Sequence, residues 1–173
     1  ITHYQLGLLL QHLYEQRKYQ GEQLNIQKDN PDSRHFSKYL SQLLREGILS
    51  ERRELPKNVY SLLGSAKWEP EDVVCTIDPF CYVSHLSAMA YHGLTDRIPA
   101  KLFISSPSPK DWKQFALARM EKNLGSSLDT YIQNGMPVLR RIAFDKIGRT
   151  EIHRANSKHL GAYRNVRGGP VRV

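Results

Sequence analysis

Five residues between positions 34 and 45 carry side chains suited to a nucleic-acid groove. Arg34, Ser37, Lys38, Ser41 and Arg45 recur at i, i+3, i+4, i+7 and i+11, one face of a helix, and none is acidic. Arginine and lysine reach guanine edges or phosphates, and serine bonds to either. Ser33 is counted with them, and Arg52, Arg53, Lys57 and Asn58 follow closely enough to lie beside the same backbone. The plainer reading is a solvated helix face and an ordinary hairpin. Cys75, Cys81, His85 and His92 are the side-chain types that zinc takes, the last three spaced by four and seven. They lack CxxC spacing, and a buried cysteine or a packing histidine is commoner, so no metal is expected. Asp129, Asp145, Lys146 and Glu151 are loose candidates for a magnesium-dependent nuclease. GxSxG, Walker, GxGxxG and HExxH patterns are absent, and neither a catalytic site nor a cofactor is expected.

The elements that must position these residues follow from periodicity. Leu6, Leu9, Leu10 and Leu13 predict an amphipathic helix over 2–18, with Gly21 as a stop. Residues 22–27 read equally as a short helix or an extended stretch. After the turn at 28–32, Asp32 or Ser33 caps a helix over 33–46 that buries Phe36, Leu40, Leu43 and Leu44 and stops at Gly47. Residues 49–54 and 59–63 then read as a hairpin around Leu55-Pro56-Lys57-Asn58. Helix, short element, helix, hairpin is the order of a winged helix-turn-helix, whose exposed helix face enters a major groove.

Residues 66–72 read as a linker. Beyond it, 73–77 is a predicted strand, 82–92 a helix capped at Gly93, and 101–105 a strand. Residues 110–123 read as a helix burying Trp112, Phe115, Ala116 and Met120, and 137–144 with 147–155 as paired strands. The expected fold is α+β: a winged helix-turn-helix domain over 1–65, a linker, and a mixed α/β domain over 73–173.

Charge supports an anionic partner. The 173 residues carry a formal charge of +8, unevenly spread. Residues 1–65 hold nine basic and seven acidic side chains, whereas 140–173 hold nine and two, a local +7. A basic surface of that kind meets nucleic acid or an acidic partner, so a non-catalytic interaction module acting through 140–173 is an alternative to the nuclease. No apolar run reaches the roughly 18 residues of a membrane helix, and two cysteines make no disulfide framework, so a cytoplasmic protein without membrane contact is expected. The chain begins without Met and ends in Gly-Gly-Pro-Val-Arg-Val, and a segment of a longer protein is expected.

Tyr82, Ser84, Ser87, Ala88, His92, Gly93, Leu94 and Pro99 follow the pattern Y-x-S-x-x-S-A-L-x-x-H-G-L, then a polar turn and a proline, with Met89 where leucine is usual. Tyr39, Leu40, Leu43, Gly47, Ile48 and Leu49 add a second run ahead of it. In these features the chain resembles the AbiEi-type antitoxins of type IV toxin–antitoxin and abortive-infection systems. The resemblance implies a transcriptional autorepressor that binds operator repeats through the winged domain. It also implies a C-terminal antitoxin domain, without catalysis, that counteracts a nucleotidyltransferase toxin whether or not the two form a stable complex. It implies further helices after Val173. The motif itself is expected to be structural: Ser84, Ser87 and Ala88 let a helix approach a sheet, Gly93 caps it, and His92 bonds the last carbonyls or fills a gap.

Overall fold

A computed structural model describes residues 1–65, 69–161, 163–166 and 170–173. Helix α1 spans His3–Gln16. Thr2 caps it by accepting the Gln5 amide while the Gln5 side chain accepts from the Thr2 amide. The buried stripe is Tyr4, Gly7, Gln11 and Tyr14, one register off the predicted leucines; Leu9 is more than half exposed. The helix ends at Arg17, not Gly21. Strands β1 (Lys18–Tyr19) and β2 (Glu22–Gln23) pair through a two-residue turn in which Gln20 and Gly21 both have positive φ, the geometry that follows strand twist. Of the undecided stretch 22–27, Glu22 and Gln23 are therefore a hairpin strand, and 24–27 belong to no helix or strand.

Helix α2, Ser33–Arg45, starts where Asp32 accepts the amides of Arg34 and His35, both at 3.0 Å. Phe36 is buried, Leu40, Leu43 and Leu44 are half-buried, and Gly47 closes the end at φ +70°. Strands β3 (Leu49–Ser50) and β4 (Ser61–Leu62) pair antiparallel, shorter than the predicted runs. The chain start joins them: the Ile1 ammonium donates to Tyr60 O at 2.8 Å, and Thr2 bridges Val59.

The next segment corrects the sequence reading. Residues 73–77 are not a strand but the body of helix α3, Pro70–Ile77, so helix also occupies the end of the expected linker. Pro70 sits at the first helical position, with Glu71 and Asp72 in the first turn, where an amide is dispensable and negative charge is favourable. Of the rest of that linker, Glu69 is the residue before α3, and Ala66, Lys67 and Trp68 lie outside the described residues. Tyr82 and Val83 are strand β5 rather than helix, and helix α4 covers only His85–Tyr91. Strand β6, Lys101–Ser106, and helix α5, Pro109–Leu124, fall where predicted, except that Phe115 is 40% exposed. A 3-10 turn (Gly125–Ser127) leads to helix α6, Leu128–Gln133. No strand occupies 137–144. The final sheet elements are β7 (Lys146–Ile147) and β8 (Thr150–Asn156).

The main sheet runs β5-β6-β8-β7, with β6 and β8 parallel and both edges antiparallel. Helices α5 and α6 lie within the crossover between β6 and β8. The fold is α+β.

Two apolar cores hold it, and both cross the expected boundary at 66–72. One joins Val59 to Val74, Cys75, Ile77, Leu102, Ile104 and Ile147. The other packs Phe36 of α2 on Leu124, Tyr131 and Met136, with Leu6, Leu8 and Leu10 of α1 against them. Gly7 is glycine because α1 touches α6 there: a Cβ would stand 2.3 Å from the Tyr131 hydroxyl. Beneath the sheet, buried Asp78 accepts from Ser106 Oγ (2.7 Å), Trp112 Nε1 (2.9 Å) and the Phe80 amide (3.1 Å), with Arg154 at 3.9 Å.

Candidate nucleic-acid interface

Every residue of the sequence-derived set is exposed: Ser33, Arg34, Ser37, Lys38, Ser41 and Arg45 on α2, and Arg52, Arg53, Lys57 and Asn58 in the β3–β4 connection. The Asp32 cap fixes the helix start and so the angular positions of the α2 side chains. Its carboxyl is held down to about 2, chiefly by the hydrogen bond from the His35 amide and then by Lys28 at 3.3 Å. Asn58 holds φ +66°, a left-handed conformation that asparagine tolerates, and its carbonyl accepts the His3 amide at 3.1 Å. The connection is thereby tied to the start of α1. Glu51 and Glu54, also exposed, flank the Arg52–Arg53 pair.

The face does not stand alone. The Ser33 amide donates to Asn134 O, and the Asn134 side chain donates to Pro31 O, both at 3.0 Å. Ser33, Ser37 and Asn58 consequently form one wall of a crevice of about 380 Å³ whose other wall is residues 135–140, ending in exposed Arg140. On the side of the connection, the Gly148 amide donates to Glu54 O at 3.1 Å, and exposed Arg149 lines a second crevice with Arg52. Arg140 and Arg149, distant in sequence, flank the N-terminal basic surface. The only sequence signal for them was the basic run itself.

That run is not uniformly a solvated surface. Arg172 turns inward: its guanidinium donates to the carbonyls of Cys81 (2.6 Å), Asp78 (2.8 Å) and Cys75 (2.9 Å) and so closes the end of α3. Arg154 faces Asp78 and lies 4.5 Å over the Phe144 ring. Arg167 lies outside the described residues.

Compared with protein-family models, curated proteins and solved structures, the chain matches none.

The motif at 82–99 divides into parts. Ser87 is buried and accepts the Phe103 amide at 2.9 Å, which docks α4 on β6. Ala88 is half-buried beside it, and Pro99 is half-buried in the following loop. Gly93 at φ +66° completes a Schellman cap, with its amide on Ala90 O and the Leu94 amide on Met89 O. His92 fills no gap: it is exposed and meets the Tyr91 ring edge-on at 5.2 Å. Leu94 is 70% exposed. Tyr82 stacks on Tyr163 at 5.7 Å, and Ser84 is buried at the strand–helix junction. There His85 holds φ +51°, a backbone conformation costing a non-glycine residue about 1–3 kcal/mol.

The metal candidates do not gather, whereas the β7–β8 pairing sets Lys146 opposite Glu151 with Asp145 next to them, and Asp129 stands on α6. Cys75 and Cys81 are buried, whereas His85 is exposed at the first position of α4, which begins after Cys81, and His92 is exposed just past its end. Asp129, Asp145, Lys146 and Glu151 are all exposed, and Glu151 pairs with Lys101 at 2.7 Å. Among the described residues, no three histidine, cysteine, aspartate or glutamate side chains are grouped to hold a metal ion. No described helix is long and apolar enough to cross a membrane.

Proposed function

We propose that this chain is a DNA-binding transcriptional autorepressor and the antitoxin of a type IV toxin–antitoxin system, acting without catalysis against a nucleotidyltransferase toxin. The observation that carries the DNA half is the face of α2. Five exposed, non-acidic side chains (Arg34, Ser37, Lys38, Ser41, Arg45) stand beside an exposed basic connection, in the helix–hairpin order of a winged domain. Lys38, Arg45, Arg52, Arg53 and Lys57 neutralise phosphates, and Arg34, Ser37 and Lys38 face base edges. Arg140 and Arg149 extend this footprint on either side, which gives the basic excess of 140–173 a role on the same ligand. The hairpin β1–β2 stands where a helix-turn-helix usually has its first helix, so α2 is positioned by α1, by the Asp32 cap and by the Asn134 contact.

The antitoxin half rests on the resemblance of residues 82–99. Two assays test the whole. Expression of the chain should repress a reporter driven by the DNA upstream of its own gene, and it should restore growth to cells making the nucleotidyltransferase encoded beside it. An unrepressed reporter refutes the DNA half. Failed rescue alongside intact repression refutes the antitoxin half.

A further inference from the structure

Between α5 and the segment after β8 lies a cup of about 380 Å³. Phe80, Phe115, Leu160 and Tyr163 give it an apolar lining. Phe115 leaves 40% of its surface to solvent, and Ala118 is exposed beside it. Large apolar side chains left open in a concave surface mark a place where another molecule is held.

The rings set the shape of that molecule. Phe80 stands edge-on to buried Trp112 (78°, centroids 5.4 Å) and is tilted by 50° to Phe115 (5.8 Å). Tyr163 is stacked on Tyr82 and receives the Arg172 guanidinium at 5.9 Å. Nucleobases stack on open aromatic faces, and these inclined and occupied rings do not form such a platform. They form a seat for one bulky apolar side chain. The rim is cationic. Arg119 and Lys122, three residues apart on α5, are exposed and line the cup. The acids of α5 do not line it: Asp111 is engaged by Ser108 Oγ at 2.7 Å, and Glu121 is absent from the lining. The opposite wall comes from the sequence after Glu151, which has no aspartate or glutamate and carries exposed Lys158 and Arg164. An apolar seat with cations and no carboxylate around it complements an acidic peptide with an apolar anchor.

We infer that this cup docks an acidic segment of a partner protein, seating one large apolar side chain against Phe80 and Phe115 while its carboxylates meet Arg119 and Lys122. The cup shares no residue with the α2 surface, so the inference stands whether or not the chain binds DNA. It gives Lys158 and Arg164 of the basic run a role that the DNA surface does not claim, steering the acidic segment inward.

The test is selection of a displayed library of random peptides, about twelve residues long, on the whole chain, followed by fluorescence anisotropy of the recovered peptides. Ala118→Glu sets a carboxylate in the cup from an exposed helix position, and Lys122→Glu reverses the charge of the rim. Lys113→Glu makes the same charge change at an exposed position of α5 outside the cup. Recovered peptides should share one aromatic or leucine-like side chain among several acids. Ala118→Glu should weaken them about tenfold or more, the size of one lost apolar anchor. Lys122→Glu should weaken them about threefold to tenfold with a flatter salt dependence, and Lys113→Glu less than about twofold. A selection that recovers no acidic peptide overturns the inference, as does binding that Ala118→Glu leaves intact. Equal weakening by Lys113→Glu and Lys122→Glu overturns it too. Single-stranded oligothymidylate that binds tighter than every recovered peptide, and is lost in Ala118→Glu, would show a nucleic-acid site and overturn the peptide assignment.

Discussion

Removing the Asp78 carboxylate should destabilise the chain more than any single surface change, and the structure sets the scale. Asp78 is 2% exposed and serves Ser106, Trp112, the Phe80 amide and Arg154 together. Asp78→Ala strands the Trp112 and Ser106 donors, each costing about 1–3 kcal/mol when unsatisfied. It also strips the Arg154 guanidinium of its counter-charge, and breaking such a pair from one side costs about 3–5 kcal/mol. These losses share one cavity and do not add. A net loss of about 4 kcal/mol is expected, close to the lower bound of a domain's whole stability. Urea unfolding followed by Trp fluorescence and circular dichroism measures it. In a chain of this size Tm should fall by roughly 8–16 °C. Asp78→Asn keeps an acceptor for Trp112 and should cost about half as much. In a double-mutant cycle with Arg154→Met, the coupling should exceed about 1.5 kcal/mol. A loss below about 1 kcal/mol for Asp78→Ala, or additivity within about 0.5 kcal/mol, would refute the reasoning.

Other perturbations probe the remaining joints. Gly7→Ala drives a methyl into the Tyr131 hydroxyl, which itself donates to Pro137 O at 2.8 Å, so overpacking should outweigh the helix propensity of alanine by about 1–2 kcal/mol in denaturant unfolding. Asp32 has a depressed carboxyl, so its contribution is present above the ordinary value of 3.8 and is lost as pH falls toward about 2. Acid unfolding of Asp32→Ala should accordingly lack a component that the parent shows in that window. Arg34→Ala should relax discrimination at one or two base pairs by about 1–3 kcal/mol. Lys57→Ala should weaken every DNA sequence alike, and fluorescence anisotropy with labelled duplexes measures both effects.

Much of the fold was legible where a cap and a period agreed. Asp32 and Gly47 bracket α2, and Pro99 with the Ser106–Pro109 run brackets the apolar stretch that forms β6, because each is specified locally. The misreadings have physical sources. Val73-Val74-Cys75 is an apolar run that suits a buried strand or helix equally; Pro70 with Glu71 and Asp72 was the helix-start signal that decided it. In 137–144 the alternating side chains reflect packing along the α1–α2 crevice and the sheet core, with the Leu139 amide on Met120 Sδ instead of a strand partner. The shift of the α1 stripe is tertiary: Gly7 and Gln11 are buried because α6 and Asn30 approach there, which no leucine count reveals. The α2 face was readable from spacing alone. Arg140 and Arg149 were not, because their place beside it depends on contacts from Asn134 and Gly148 that only the fold creates.

The central claim is that one basic surface, built from α2, the β3–β4 connection, Arg140 and Arg149, grips DNA. The most direct measurement is the slope of log affinity against log salt for DNA from upstream of the chain's own gene, taken for the parent and for Arg140→Ala/Arg149→Ala. Each neutralised phosphate contributes about −0.9 to the slope. The parent should show a slope of roughly −3 to −6, and the double variant should be shallower by about two. Affinity that does not change with salt, or a double variant with the parent's slope, would contradict the account.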